Sequence, residues 1–86
     1  MPNRSRTEIV SEILEVVNDN DAEGIGVTRA TIMNKVYLNS AHLREYLIAL
    51  TVHGLLSYDS QMGRYNLTEK GLQYLELCNK IGDVLK

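Results

Sequence analysis

The chain has 86 residues, with nine Lys and Arg against eleven Asp and Glu, five Tyr, no Trp or Phe, and one Cys. A chain this short forms one domain with a small core, burying about 60 to 65% of its unfolded surface, and its net charge of -2 argues against a nonspecific nucleic-acid coat. The lone Cys78 excludes an intrachain disulfide and a cysteine-based zinc site.

The opening MPNRSRTEIV has no apolar signal stretch. The longest apolar-leaning run, Tyr46 to Val52, is far shorter than the roughly 20 residues of a membrane span, so a soluble cytoplasmic protein is expected. Ser5 with Glu8 three residues on makes a capping box for a first helix. Its apolar face is Ile9, Val10, Ile13, Leu14, Val16 and Val17, and Glu8, Glu12 and Glu15 lie on the other side. NDNDAEGIG, Asn18 to Gly26, is dense in turn formers and closes it.

Thr28 is a suitable N-cap for a second helix from Arg29 to about Tyr37, and Ser40 for a third from Ala41 to about His53. Gly54 suits the left-handed position past the third helix. Leu55 to Tyr58 and Arg64 to Leu67 flank the Gly-containing loop Asp59 to Gly63, which predicts a β-hairpin. Thr68 then caps a last helix beginning at Glu69. Two short helices separated by a break of about three residues, followed by a hairpin, make a mainly α layout: a winged helix-turn-helix with a three-helix core, a two-stranded wing and a C-terminal helix.

Charge is distributed unevenly along this layout. Glu8 to Glu23 holds six acids and no Lys or Arg, whereas Gly24 to Leu67 holds Arg29, Lys35, Arg44 and Arg64 against Glu45 and Asp59. An acidic side and a modestly basic one are expected.

The segments GVTRATIMNKVYLNSAHLREYLIALTVHGLL and YNLTEKGLQYL resemble the small archaeal winged helix-turn-helix proteins, which are predicted transcriptional regulators related to dimeric archaeal chromatin proteins. The resemblance covers roughly Thr7 to Leu77. It implies double-stranded DNA binding by a homodimer, with the third helix as reader, the hairpin as wing and the last helix as dimer contact. Residues 1–67 would be the DNA-binding part and 68–86 the dimerisation helix of the same domain, on the nucleoid in the cytoplasm. That helix is long in the chromatin-like proteins; here it carries Gly82 and stops at Lys86, so a shortened seam is expected.

The candidate DNA contacts follow from side-chain chemistry at these places. On the third helix, Leu43, Tyr46, Leu47 and Leu50 recur at core spacing, which leaves Ser40, Ala41, Arg44, Glu45 and Ile48 outside. Ser40 can bond a phosphate or base, Arg44 can chelate a guanine edge, and Glu45 can accept from a cytosine amino group or pair with Arg44. His42, on the flank, can reach a phosphate. Arg29 stands in the first turn of the second helix, where the dipole end favours an anion. Lys35 is a weaker phosphate candidate, and Arg64 follows Gly63 beside the wing tip. Tyr58 and Tyr65 are expected to pack across the hairpin, and Tyr37, Tyr46 and Tyr74 to lie in the core or an interface.

On the last helix, Leu72 and Leu75 are assigned to packing on the domain. Tyr74, Leu77, Cys78, Ile81, Val84 and Leu85 form a second stripe, suited to a homodimer seam. No metal site, cofactor, catalytic constellation or small-molecule pocket is expected, since His42 and His53 have no partner at a telling spacing. A winged helix that binds protein, through its acidic first helix or through Ile48 and Val52, is the rival reading.

Overall fold

The computed structural model describes residues 5–21 and 24–85, with side chains to residue 80. In chain order the elements are α1 (Arg6–Asn20), β1 (Val27–Thr28), α2 (Arg29–Val36), α3 (Ser40–Val52), β2 (Leu56–Asp59), β3 (Arg64–Leu67) and α4 (Glu69–Leu85). The capping box at the head of α1 forms: the Glu8 amide donates to Ser5 Oγ at 3.1 Å and the Ser5 amide to Glu8 Oε1 at 3.5 Å. The helix runs three residues into the turn-rich segment, to Asn20, whose side-chain amide donates to the Val16 carbonyl at 2.8 Å.

α1 packs against α2, α4 and β3. The core it completes consists of Ile13, Leu14, Val17, Val27, Ile32, Val36, Leu43, Leu47, Leu50, Leu56 and Leu75. Each such side chain contributes roughly 1.5 to 3 kcal/mol on burial. No polar or charged side chain among the described residues is buried with them, so the core is aliphatic.

The helical turn departs from expectation in two ways. Asn39, not Ser40, caps α3: its Oδ1 accepts the His42 amide at 2.8 Å, and Ser40 becomes the first helical residue. Tyr37 is no core residue. It adopts the left-handed conformation (φ 61°) that ends α2, with its amide donating to the Met33 carbonyl, and the side chain turns outward to 86% exposure. Tyr46 is half-buried at the edge of the core.

The hairpin forms with Tyr58 opposite Tyr65 and Asp59 opposite Arg64. It gains a third strand that the periodicity did not predict, because β1 is only two residues long: Val27 and Thr28 pair antiparallel with Tyr65 and Arg64, giving the order β1-β3-β2. Gly26 makes this approach possible. Its φ is 91°, and a Cβ there would lie 2.9 Å from both Asn66 Oδ1 and the Tyr65 carbonyl oxygen.

α4 starts where Thr68 Oγ1 accepts the Gly71 amide at 2.9 Å, and the same hydroxyl sits 2.6 Å from the Gly54 carbonyl oxygen. Gly71, not Leu72, lies against the domain. It is buried with its backbone on the Leu55 carbonyl, so the inward line runs through Gly71 and Leu75, and Leu72 is left 39% exposed.

Candidate nucleic-acid interface

One side-chain bond links the N-terminal residues of α2 and α3. Thr28 Oγ1 accepts the Thr31 amide at 3.3 Å to cap α2, and Asn39 caps α3, yet neither first turn contains an acidic residue. The positive ends of both helix dipoles are therefore not neutralised from within. Arg29 spans them: its guanidinium donates to Ser40 Oγ at 2.8 Å, tying the first turn of α2 to the first residue of α3 on an exposed surface. Two residues that the sequence suggested separately thus form one cationic unit.

The Tyr65 hydroxyl on the wing feels the charge of Arg29. Burial first, then the neighbouring Tyr58, raises the Tyr65 hydroxyl above its ordinary pKa, whereas Arg29 lowers it, which puts the guanidinium within electrostatic reach of β3. Tyr58 and Tyr65 pack with ring centroids 4.8 Å apart, tilted by 45°. Their role as a cross-strand pair agrees with the sequence; the proximity of Tyr65 to Arg29 had no sequence signal, because it depends on β1 docking beside β3.

The remaining candidates spread over three other places. Arg44 is exposed on α3, on the flank it shares with Ser40. His42 and Glu45 face the other flank, where they line an open groove of about 430 Å³ with Arg6, Ile9, Leu38, Tyr46 and Ala49. There the His42 ring nitrogen Nδ1 lies 3.2 Å from the Asn39 side-chain amide. Lys35 lines a different groove, among Glu12, Glu15, Val16, Asp19 and Asn20, so it sits within the acidic side of α1.

Arg64 is part-buried, and its guanidinium donates to the Gly26 carbonyl at 3.2 Å. The Gly26 amide in turn donates to Asp21 Oδ1 at 2.7 Å, so Arg64 braces the loop-side end of β3, through Gly26, against the end of α1. The wing tip itself is uncharged beyond Asp59, whose carboxylate accepts the Gln61 and Met62 amides at 3.0 and 3.2 Å. Those amides are thereby withdrawn from any phosphate.

On α4, Tyr74 packs against the core, Cys78 is half-buried, and Leu77 is 55% exposed. The helix backbone continues through Ile81, Val84 and Leu85, whose side chains lie outside those described. Among the described residues no helix is long and apolar enough to cross a membrane.

Helix pair, cap chemistry, wing and closing helix form the arrangement in which one helix lies in a DNA groove and its predecessor lies across the backbone. No curated protein matches the chain. The family model described as winged helix-turn-helix matches residues 3–86, nearly the entire length, and with four helices around a small antiparallel sheet the chain belongs to that family, whose domains typically bind DNA.

Proposed function

We propose that the protein is a double-stranded DNA-binding transcriptional regulator, acting on the nucleoid as a homodimer joined through α4, and akin to the archaeal regulators it resembles. The observation that carries this reading is the Arg29–Ser40 bond across two adjacent, acid-free helix N-termini. Phosphate is the ligand such a site favours, through charge and amide donors together. Arg29, held in place by Ser40, contacts a phosphate at the groove edge, and Arg44 enters the major groove. Arg64 sets the wing's position rather than reaching out from its tip. His42 and Glu45 serve the α1 flank of the reader helix, and Lys35 contributes only a distant, partly neutralised charge.

The homodimer is supported by Leu77, whose exposed side chain on α4 continues into the apolar positions Ile81, Val84 and Leu85. A second reading, a protein partner seated on α3, is favoured by the exposure of Ile48 and Val52.

Fluorescence anisotropy with a labelled duplex, repeated over a salt series, tests the proposal. Four to eight phosphate contacts over a dimer make log K fall against log salt with a slope of about -4 to -7. Absence of duplex binding, or an affinity independent of salt, removes it.

A further inference from the structure

The outermost line of α3 is apolar. At about 100° per residue, Ala41, Ile48 and Val52 fall within about 40° of one another, opposite the buried Leu43, Leu47 and Leu50. All three are exposed, Ile48 at 54% and Val52 at 76%. Arg44 stands about 40° from the line on one side and Glu45 about 20° from it on the other, so the apolar line has an acid at its edge. Ser40, on the Arg44 side, already accepts from Arg29, and His42 lies on the Glu45 side. A helix built to read bases by hydrogen bonds alone would not place aliphatic side chains at its crest.

The major-groove edge offers one apolar group to such a crest, the C5 methyl of thymine, and a C5-methylated cytosine presents the same group at the same ring position. Ala41 and Ile48 are separated by about 10 Å along the helix, or roughly three base-pair steps. Arg44 lies between them in sequence and on the adjoining flank. We propose that α3 recognises the 5-methyl group of pyrimidines through Ala41 and Ile48, with Val52 extending the apolar line toward the groove rim. The preferred site then carries methylated pyrimidine edges on either side of the base that Arg44 contacts. This inference rests on α3 being the reader helix.

The experiment uses two pairs of duplexes, each pair identical in base-pair sequence: thymine against deoxyuridine, and cytosine against 5-methylcytosine. Affinities of the full chain and of Ile48→Ser are measured by anisotropy at one ionic strength. Ile48 is exposed, so the variant keeps its fold.

Removing the methyl should weaken wild-type binding, and adding it to cytosine should strengthen binding, by about fourfold for each methyl in contact. The Ile48→Ser ratio should move toward unity in both pairs. Equal methyl effects in wild type and variant would assign the difference to duplex shape and overturn the inference. Duplex binding indifferent to the methyl would overturn it too, leaving the DNA reading intact and the apolar crest to a protein partner. No binding to any of the four duplexes would remove the DNA reading itself.

Discussion

The Arg29 guanidinium crosses the helical turn to the Ser40 hydroxyl at 2.8 Å, so the two act on a ligand as one group. Arg29→Ala should weaken duplex binding by a similar factor on all sequences and make the salt slope shallower by about 1. Ser40→Ala removes only the tether and should cost less. The double variant should bind no worse than Arg29→Ala alone, since Ser40 works through Arg29. Additive losses in that cycle would give Ser40 a DNA contact of its own.

Gly71 decides how closely α4 approaches the sheet. A Cβ there would collide with the Leu55 carbonyl oxygen and lie 2.8 Å from Leu67 Cδ1. Backbone cannot yield as a side-chain end does, so Gly71→Ala should destabilise by about 2 to 3 kcal/mol despite the better helix propensity of Ala. Urea midpoints of the two proteins measure it, and an unchanged midpoint contradicts the packing described.

Tyr37 holds a left-handed conformation that glycine adopts without steric cost, and at 86% exposure its ring gains little from packing. Tyr37→Gly should therefore stabilise the fold, by about 0.5 to 1 kcal/mol, whereas Tyr37→Val should destabilise it. Thermal denaturation separates the two. A loss of duplex affinity in a stabilised Tyr37→Gly protein would show that the exposed ring is kept for binding.

Alkaline pH should lower the stability of the fold through Tyr65 and Tyr74. Burial is the main cause that raises both Tyr65 and Tyr74 above the ordinary 10.0. The unfolded chain therefore loses these protons first as pH rises. The stability of the neutral hydroxyls is complete below about pH 10 and disappears as pH climbs through the folded-state values. Tyr65→Phe should flatten that decline, as read from denaturation midpoints at neutral and alkaline pH beside the tyrosinate absorbance.

Leu77 tests the dimer. Its side chain is 55% exposed and outside the core, so Leu77→Asp should leave the monomer fold intact. In a two-fold seam the same change introduces a carboxylate from each subunit and should shift sedimentation equilibrium from dimer to monomer at tens of micromolar, with affinity for a two-fold DNA site falling steeply. A monomeric wild type at that concentration would end the homodimer reading.

Local chemistry in the sequence by itself determined the four helices, the hairpin and the caps of every helix but α3, where Asn39 takes the place expected of Ser40. Ser5 with Glu8, Thr28, Thr68 and Gly54 act within a few residues of themselves, and the spacing of Leu43, Leu47 and Leu50 sets which face of α3 is buried whatever it packs against. Only the tertiary structure decided the rest, because those relationships join residues far apart in the chain. The meeting of Arg29 with Ser40, the bracing of Gly26 by Arg64, the third strand β1 and the placement of Lys35 among the α1 acids each depend on how elements dock. Charge can be counted along a chain, but whether a cation faces a phosphate, a carbonyl or a carboxylate is set by the packing of aliphatic residues that carry no charge.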